Sequence, residues 1–417
     1  MGVDVVELDS LLTGNWKSPL SAEHEDVLDI AVRSALITFF RTDRPKTSRK
    51  SVRRMGENFT HEARGVYRGL RSLFARHDDL GLAYIPNGRF PHQRMAHLAA
   101  RDSGVEVLHF EKGETPHRSY LQPHAPQSRE ATQLAVEPVL RGMTPDDVER
   151  TAQEWLSRRG PTSDSNNQFS ALWGADLPKP FAVLSAGQRV AGFFTSSQDE
   201  FAFAGPEWEL HDWTDQYEAF HLIMQRMEKA GYRCYLRVHP NLATKAQDLY
   251  SRERAGVKWL AKRHPNLIVI WHDDIVNTYS LLDVTHSVVV WGSTVGLEAS
   301  ARGIPVWTTA TTRYGLTADV REVLSQEQLD EQGLEPWDVD AHAARRYIAY
   351  LVARDEPMDP SYKSWLPWDR DNQPVAARIA AVLASGGIPN PLEAFKSQVD
   401  VYRHRRLKSN LRNLRRN

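Results

Sequence analysis

Residues 287–308, SVVVWGSTVGLEASARGIPVWT, carry the strongest structural signal in the sequence. The stretch begins with a β-branched and aromatic run that does not alternate with polar residues, which is typical of a strand covered on both faces. Gly292 permits a sharp exit from this strand, whereas Gly303 and Pro305 end the short helix that follows. The stretch therefore predicts a strand, a turn, a helix and another strand, a unit from which parallel α/β sheets are built.

The turn inside this stretch has the character of a phosphate site. Ser293 and Thr294 stand where a helix N-cap belongs, and free backbone N–H groups and the positive end of the helix dipole favour an anion there. Glu298 follows Thr294 by four residues, so the two side chains share one face of the helix. A carboxylate in that position can accept hydrogen bonds from both ribose hydroxyls of a nucleotide. A solvated helix glutamate is the alternative.

The composition restricts the class of protein. A chain of 417 residues is expected to form two domains, and 41% hydrophobic and 25% charged residues are typical of soluble globular proteins. A net charge of −1 gives no general case for nucleic-acid binding. We find no apolar run long enough to span a membrane and no signal-peptide pattern, so a cytoplasmic location is expected. The single cysteine, Cys234, excludes an intrachain disulfide and a multi-cysteine metal site.

Strand-like and helix-like segments alternate along the chain in two groups. The first group has strand-like runs at Leu36–Phe40, Gly81–Ile85 and Val105–Phe110, and a helix at Gln93–Arg101 completes a βαβ unit. A polar, turn-rich segment at residues 160–178 is the best candidate for a linker. The second group then repeats the α/β alternation up to about residue 340, and the remaining sequence has mostly helical patterns.

This organisation predicts an α/β protein with two doubly wound domains that face each other across a cleft. We place an N-terminal, acceptor-side domain at residues 1–165 and a C-terminal, nucleotide-binding domain at residues 178–340. A helical extension with a basic tail occupies residues 341–417. Ligands of such folds bind at the carboxyl ends of the strands, so the polar residues that follow each strand are the candidates for function.

The second group contains the tetrapeptide Arg237-Val238-His239-Pro240 at the end of a mostly apolar strand. Pro240 biases His239 towards an extended conformation and stops the strand. An imidazole at this end of a strand points into the cleft, where it can bind a phosphate or a sugar hydroxyl. Arg237 adds a fixed positive charge. A structural histidine at a turn is the alternative.

The segment TSSQDEF, Thr195 to Phe201, follows another apolar run and has the same strand-end character. The hydroxyls of Ser196 and Ser197 can hold a phosphate, while Asp199 or Glu200 can position a substrate or act as a base. An ordinary polar turn is the alternative.

Two polar motifs follow consecutive strands of the first group. Asn87 and Arg89 in one of them can bind hydroxyls or a carboxylate. Glu111 in the other is the candidate general base, because it would lie at the carboxyl edge of the first sheet, opposite the nucleotide half. Solvated charges or a structural ion pair are the alternatives for these residues.

Taken together, the motifs resemble bacterial capsule polysaccharide biosynthesis proteins. The shared elements are short, and they occur in the same order over roughly residues 80 to 310. The His-Pro and Ser/Thr elements are also similar to those of Kdo transferases, of sialyltransferases that use CMP-activated sugars, and of polymerases that transfer glycerol phosphate from CDP-glycerol. The matching segments are Asn87-Gly88-Arg89, Glu111-Lys112-Gly113, Thr195 to Phe201, Arg237 to Pro240 and Gly292 to Pro305.

The resemblance implies a GT-B fold of two Rossmann-like domains, with the donor nucleotide on the C-terminal domain and no required metal or other cofactor. It implies that His239 contacts the donor's phosphate or sugar, Ser293 and Thr294 its phosphate, and Glu298 its ribose. Glu111 falls on the acceptor side. One departure concerns Trp291, which precedes the glycine where the family usually has a small or polar residue, and which would narrow the nucleotide pocket.

The function implied is that of a metal-independent glycosyltransferase. It would transfer a sugar from a nucleotide-activated donor, with CMP-sugars favoured, to a hydroxyl of a surface polysaccharide or glycolipid. A polyol-phosphate transferase with a CDP-activated donor and a nucleotide-sugar 2-epimerase fit the same motifs. A catalytically inactive sugar-binding protein is the remaining alternative.

The end of the sequence, VYRHRRLKSNLRNLRRN at residues 401–417, holds seven Lys or Arg and no acid. Its three leucines recur at helical spacing, which suits a basic amphipathic helix on an anionic membrane surface. An enzyme that extends a lipid-linked acceptor at the inner face of the membrane would use such a contact. A solvated tail is the alternative.

Overall fold

The computed structural model describes residues 18–114, 118–159, 187–202, 204–208 and 210–357, and they form two α/β units with one sheet each. The predicted α/β class with two sheet-based units is confirmed. The elements of the first unit are α1 (Ala22–Phe40), α2 (Lys50–Arg76), β1 (Leu82–Pro86), α3 (Pro91–Arg101), β2 (Glu106–Lys112), β3 (Arg118–Gln122), α4 (Arg129–Leu140) and α5 (Pro145–Arg158).

The first sheet is small and mixed. Strands β1 and β2 are parallel and joined by α3, so the βαβ unit predicted from the sequence is present. Strand β3 runs antiparallel to β2, with Phe110 opposite Leu121. Helix α3 packs against this sheet, where Ala100 lies among Ile85, Val105 and Val107. Among the described residues, the first sheet thus has fewer parallel strands than a full doubly wound domain.

The prediction of a strand at Leu36–Phe40 is wrong, because these residues form the last turns of α1. Val32 and Leu36 recur every four residues after Leu28 and form an apolar stripe. The stripe packs against α2 and α3, where Met95 is fully buried. A five-residue apolar window does not distinguish a buried strand from a helix, whereas the longer repeat does.

The second unit is built on a six-stranded parallel sheet. Its elements are β4 (Val190–Phe194), α6 (Gln198–Phe201), α7 (Gln216–Lys229), β5 (Arg233–Arg237), α8 (Gln247–Arg263), β6 (Ile268–Ile270), α9 (Thr278–Leu282), β7 (Ser287–Val290), α10 (Val295–Ser300), β8 (Val306–Thr308), β9 (Arg321–Glu322) and α11 (Gln326–Gln332). The strand, turn, helix and strand predicted at residues 287–308 are β7, α10 and β8.

Both faces of this sheet are covered, as the unbroken apolar runs predict. Phe193 and Leu236 lie in a core formed with α7 and α8 on one face. Phe194 and Tyr235, their immediate neighbours in sequence, lie in a second core formed with α9 and α10 on the other face. Alternate side chains of one strand therefore pack into opposite cores.

The spatial order of the strands is β6-β5-β4-β7-β8-β9, and every pair is parallel. When the six strands are numbered 1 to 6 in chain order, their spatial order is 3-2-1-4-5-6. The connections therefore reverse direction between β4 and β7. Parallel sheets with this order bind nucleotides in the crevice where the reversal occurs, outside the carboxyl ends of the strands. The topology thus singles out the loops that follow β4 and β7.

After the second sheet the chain returns to the first unit. Helix α12 (Ala341–Ala353) packs against α4 and α5, and strand β10 (Glu356–Pro357) pairs with β3 at the edge of the first sheet. The domain boundaries at 165, 178 and 341 stay predictions. The linker at 160–178 and the basic tail at 401–417 lie outside the described residues. Within the described ranges, no helix has both the length and the apolar character to cross a membrane.

Candidate active site

Three of the loops predicted to carry function are hydrogen-bonded to one another at the reversal point of the second sheet. The Thr195 hydroxyl oxygen, after β4, accepts a hydrogen bond from the backbone N–H of His239, after β5, at 2.8 Å. The Ser196 hydroxyl oxygen accepts one from the backbone N–H of Gly292, after β7, at 3.1 Å. The structure therefore brings the Thr-Ser-Ser, His-Pro and Gly-Ser-Thr elements together at one edge.

Gln216, at the start of α7, holds the backbone of the loop after β4. Its side-chain oxygen accepts the N–H of Ser196 at 3.0 Å, and its side-chain nitrogen donates to the Ser196 carbonyl at 3.3 Å. The Gln216 side chain is fully buried, so water does not compete for these bonds. Asp215 caps the helix by accepting from the N–H groups of Tyr217 and Glu218, which fixes the end of α7 that carries Gln216.

A pocket beside these loops is lined by Ser196, Ser197, His239, Lys245 and Glu253, among others. His239 is half-buried, and its Nδ1 accepts the N–H of Asn241 at 3.2 Å. Its backbone is extended, with ψ at 127°, as the following proline requires. The structure therefore places His239 where it can reach a ligand that also contacts Ser196 and Ser197.

Glu253 on α8 is a pocket residue that sequence reasoning missed. It is 6% exposed and accepts hydrogen bonds from the Tyr217 hydroxyl at 2.6 Å and from Gln216 at 2.7 Å. Burial raises the pKa of its carboxyl group to about 7, although the Tyr217 hydrogen bond favours the ionised form. A signal was present in the sequence: Glu253 stands between Leu249 and Val257 on the buried face of the helix, where an apolar residue is expected.

Asp199, a predicted catalytic residue, is engaged by Lys245. The two side chains form an ion pair at 2.8 Å, and the side chains are only 6% and 2% exposed, respectively. The pair links α6 to the segment before α8. Because the carboxylate already has a cationic partner, a role for Asp199 as a base requires that this pair be broken. Lys245 itself lines the pocket and is a cation that the sequence reading missed.

Arg237 is buried in the wall of the sheet rather than in the pocket lined by His239. Its guanidinium donates to the carbonyl of Trp271, after β6. Burial lowers its pKa to about 10, and the carboxylates of Asp273 and Asp274 oppose this shift. The predicted contact between Arg237 and the nucleotide stays a prediction, and the histidine two residues later is better placed for it.

Ser293 and Thr294 were both predicted to cap the helix, and only the Ser293 side chain accepts a backbone N–H there. The Ser293 hydroxyl oxygen accepts the N–H of Val295 at 3.3 Å, whereas Thr294 makes no capping bond through its side chain. The Ser293 carbonyl is held by the Tyr314 hydroxyl at 2.6 Å. Thr294 is exposed and lines a second pocket, which lies between the two units.

Glu298 lies inside the protein, against the first unit. Its side chain is 2% exposed and 3.7 Å from the guanidinium of Arg159, and the Tyr279 hydroxyl donates to it. Burial raises the pKa of the Glu298 carboxyl group, and Arg159 opposes that shift. A ribose contact therefore requires opening of the Arg159 pair, and this role stays a prediction.

The residues predicted for the acceptor side form a small polar cluster at the carboxyl edge of the first sheet. Asn87 donates through its side chain to Glu111, and Gln127 donates to the Asn87 side-chain oxygen at 3.1 Å. Asn87 has a φ of 54°, in the left-handed region that asparagine tolerates. Glu111 is half-buried, and the Asn87 amide that contacts its carboxylate is polar.

Arg89 connects the two units. Its guanidinium donates to the Ser34 hydroxyl in α1 and, at 3.2 Å, to the carbonyl of Ala202 after α6. The loop after β1 therefore contacts the segment that follows β4 and α6. The predicted acceptor contact of Arg89 would compete with these bonds. Among the residues that the structure describes, no group of three His, Cys, Asp or Glu side chains could hold a metal ion.

Known proteins resemble this chain only in overall structure. No protein-family model matches the sequence, and no curated protein matches it either. A β-Kdo 2,4-transferase, KpsC from Thermosulfurimonas dismutans, has 16% identity and a TM-score of 0.39 over 64% of this chain and 78% of its own. A putative UDP-N-acetylglucosamine 2-epimerase from Listeria monocytogenes has 12% identity and a TM-score of 0.32 over 80% and 88%.

A UDP-GlcNAc 2-epimerase from Neisseria meningitidis, solved with UDP-GlcNAc bound, has 11% identity and a TM-score of 0.33 over 79% of this chain and 94% of its own. The similar structures therefore include enzymes with two different reactions. At these identities and TM-scores the likeness does not carry a reaction or a substrate to this chain.

Proposed function

We propose that this protein is an enzyme that binds a nucleotide-activated sugar at the reversal point of the second sheet. The observation that carries the proposal is the strand order, because parallel sheets with this order bind nucleotides in the crevice at the reversal point, which here lies between the loops after β4 and β7. Ser196 and Gly292 come from those two loops and are hydrogen-bonded. The hydroxyls and the histidine singled out in the sequence lie at this edge.

The reaction we favour is transfer of the sugar to a hydroxyl of a surface polysaccharide or glycolipid. Ser196, Ser197 and His239 would bind the phosphate and sugar of the donor, and Ser293 and Thr294 would complete the phosphate site. The departing nucleotide gains negative charge, which the hydrogen-bond donors of this edge can stabilise. The ammonium of Lys245 would contribute only when its ion pair with Asp199 opens. CMP is the nucleotide that the sequence motifs favour.

Glu111 is the base we propose for the acceptor hydroxyl. It lies on the sheet edge of the first unit, and Asn87 holds one of its carboxylate oxygens. The backbone N–H of Lys112 donates to the other oxygen at 2.9 Å. A carboxylate fixed in this way can receive the acceptor proton as the hydroxyl attacks the anomeric carbon. The nucleotide then leaves with the electrons of the broken bond.

A 2-epimerase is the second candidate, and Glu253 is the observation that favours it. Epimerisation needs acid and base groups in one cleft and no acceptor. Glu253 lines the pocket beside His239, and its carboxyl group has a pKa of about 7, so it can both accept and donate a proton near neutral pH.

A nucleotide panel tests the proposal. We would measure thermal unfolding of the full chain with CMP, CDP, UDP and GDP, since a ligand at 100 times its Kd adds about 2.7 kcal/mol of stability. His239→Ala should lose the response. His286→Asn, at the opposite edge of the same sheet, should keep it.

A response to CMP supports the transferase, one to CDP supports polyol-phosphate transfer, and one to UDP favours the epimerase. For the transferase, release of the nucleotide from the donor should require an acceptor. An epimerase would exchange hydrogen at C2 of the sugar with solvent and need no acceptor. Failure of all four nucleotides to stabilise the protein would refute the proposed nucleotide site.

A further inference from the structure

One face of the small first sheet is apolar and largely exposed. Side chains along a strand alternate between the two faces of a sheet. Ile85 and Val107 lie on the face that packs against α3, so their neighbours in sequence lie on the other face. On this other face, Tyr84 is 58% and Leu121 is 49% exposed. We call it the open face, and its apolar residues are Leu82, Tyr84, Pro86, Leu108, Phe110 and Leu121.

The apolar residues of the open face form one continuous patch across β1, β2 and β3. The strand register places Tyr84 beside Leu108, and it places Phe110 between Pro86 and Leu121. Within the described ranges, no residue of the patch belongs to a buried hydrophobic cluster. Three strands about 4.8 Å apart, each rising about 3.3 Å per residue, give a patch of about 300 Å². Apolar patches of this size on a single protein often serve in binding.

Two side chains of opposite charge lie at the ends of the open face along β2. Glu106 precedes Leu108 and Phe110, and Lys112 follows them, all on the same face of the strand. Glu106 and Lys112 are both exposed. The two residues of one chain are separated by about 20 Å of extended strand, which is too far for a direct ion pair. The order acid, apolar, apolar, base is therefore complementary to its own reversed copy.

We propose that the open face binds the open face of a second copy of this chain. A two-fold axis between the sheets, perpendicular to β2 and level with His109, sets the two β2 strands antiparallel. Leu108 then lies opposite Phe110 of the partner subunit. At both ends of the contact, Glu106 lies opposite Lys112 of the partner subunit. Sheets that pack face to face are about 10 Å apart, a gap that glutamate and lysine side chains span together.

The charges favour this occupant and this orientation. With the two β2 strands parallel, Glu106 would face Glu106 of the partner subunit, and the like charges would repel. An anionic lipid surface would repel Glu106 in the same way. Only the antiparallel two-fold arrangement gives both Glu106 and Lys112 a partner of opposite charge from an identical surface.

The dimer contact is independent of the proposed nucleotide site. None of the residues that line the pockets beside His239 and Thr294 lies on the open face. The patch of about 300 Å² is also smaller than the roughly 800 Å² that each partner buries in a standard interface. We therefore expect a weak dimer with a Kd in the micromolar range.

The test is the oligomeric state of the full chain, measured by sedimentation equilibrium from about 1 to about 200 µM, which brackets a micromolar Kd. We expect a monomer–dimer equilibrium. Glu106→Lys and Lys112→Glu should each weaken dimerisation at least tenfold, because each places like charges opposite one another at both ends. The two substitutions combined in one chain restore opposite charges and should return the Kd to within about threefold of the unaltered value.

A serine substitution tests the apolar part of the contact. Leu121→Ser should weaken dimerisation at least tenfold, because it removes an apolar side chain from the patch. Leu134→Ser is the matched control, since Leu134 is 77% exposed on α4, outside the open face, and it should leave the Kd unchanged. All four substituted side chains are exposed in the single chain, so these variants should fold.

Three outcomes would overturn the proposal. One is a monomer at every concentration, which is also the result expected if another segment of the same chain covers the open face. Another is a dimer whose Kd is the same in Leu121→Ser and in both charge variants, because its interface would then lie elsewhere. The third is failure of the double charge exchange to restore a dimer that each single exchange weakens. Nucleotide binding should be equal in all of these variants, so loss of the dimer and failure of the nucleotide site are separate results.

Discussion

Ser196 and Gly292 meet across the reversal point of the second sheet, where the serine hydroxyl oxygen accepts the glycine N–H at 3.1 Å. The residues are 96 positions apart in the sequence and belong to loops after neighbouring parallel strands. Gln216 fixes the backbone of Ser196 from the other side. The geometry of the crevice thus depends in part on a buried hydroxyl.

Replacement of Ser196 by alanine should loosen the crevice. The buried N–H of Gly292 would lose its partner, which typically costs about 1–3 kcal/mol of stability. We expect a lower midpoint of denaturant unfolding and at least tenfold weaker binding of the preferred nucleotide by calorimetry. Ser300→Ala is the matched control, because Ser300 is equally buried and its hydroxyl donates to the Asp319 carbonyl at 3.0 Å. It should lose comparable stability and keep the affinity.

Equal nucleotide affinity in Ser196→Ala and Ser300→Ala would show that the loop contact is structural only. The proposed nucleotide site would then have to lie elsewhere along the sheet edge.

Strands β4 to β8 of the second sheet were predictable because each is a short, mostly apolar run followed by a polar or glycine turn, whereas β9 consists of Arg321 and Glu322 and has no such pattern. Val288 to Val290 and Val190 to Phe194 are examples, and both form strands buried on each face. The spatial order was not predictable, since it depends on helices that are far apart in sequence. With that order unknown, the sequence could not show that Ser196 touches Gly292.

Which polar groups are free to act was harder to predict from the sequence. Asp199 and Glu298 have the residue type and position of functional groups, yet each faces a cation, Lys245 or Arg159, from a distant segment. Such pairs follow from tertiary packing, which no local pattern records. For Glu253 the opposite holds. Its position on an apolar helix face can be recognised in the sequence, whereas only the fold shows that its side chain reaches the pocket.

Glu253→Gln should change how stability depends on pH. The pKa of Glu253 rises from 4.5 to about 7 on folding, so the folded state keeps a proton that the unfolded state loses. The contribution of Glu253 to the free energy of unfolding is therefore largest below pH 4.5, decreases as the pH rises towards 7, and stays constant above pH 7. The total loss is about 3 kcal/mol.

Glutamine keeps the shape of Glu253 and cannot ionise. We expect the stability of Glu253→Gln relative to the unaltered protein to increase from pH 5 to pH 8, measured by urea unfolding at each pH. Glu106→Gln, at an exposed position of β2, should show no such change. A constant difference between Glu253→Gln and the unaltered protein across this range would contradict the assigned pKa.

Arg129 and Glu322 form an ion pair between the two units, with Nη2 and Oε1 2.7 Å apart and the side chains 5% and 21% exposed. Arg129 also donates to the Thr312 carbonyl at 2.7 Å. Arg129→Gln should destabilise the protein by about 2–3 kcal/mol, because it leaves a mostly buried carboxylate without its cation.

A double-mutant cycle with Glu322→Gln isolates the pair. We expect the two substitutions together to cost less than the sum of their separate effects. Arg302 and Asp283 form a comparable pair at 2.8 Å, with 29% and 67% exposure, and the same cycle there should give a coupling of about 0.5 kcal/mol or less. Equal coupling at both sites would contradict a strong contact between the units.

Glu111→Gln tests the proposed base. A positioned general base contributes about 10²- to 10⁴-fold to a rate, so turnover with acceptor should fall by that factor. Nucleotide binding should be unchanged, since Glu111 lies on the opposite unit. Glu106→Gln, on the same strand, should keep both the turnover and the nucleotide binding of the unaltered enzyme. Turnover within threefold of the unaltered enzyme would remove Glu111 from the mechanism.

Gly296 in α10 leaves room for Tyr314, which holds the turn after β7. A Cβ at this position would fall on the Tyr314 hydroxyl and lie 3.1 Å from the ring carbon that carries it. The same hydroxyl donates to the Ser293 carbonyl at 2.6 Å. Gly296→Ala should therefore displace Tyr314, destabilise the protein by about 1–3 kcal/mol and weaken nucleotide binding.

Tyr314→Phe removes the atom that clashes and should cost about 1 kcal/mol for the lost hydrogen bond. In the Tyr314→Phe background, Gly296→Ala should be less destabilising by at least 1 kcal/mol than in the unaltered protein, as measured by urea unfolding. Additive effects would mean that the added methyl group disturbs Val290, which lies 3.1 Å from the same position, and not the tyrosine. Because the Tyr314 hydroxyl is the contact that ties the loop after β8 to the Ser293 carbonyl, the rescue should restore stability but only part of the nucleotide affinity.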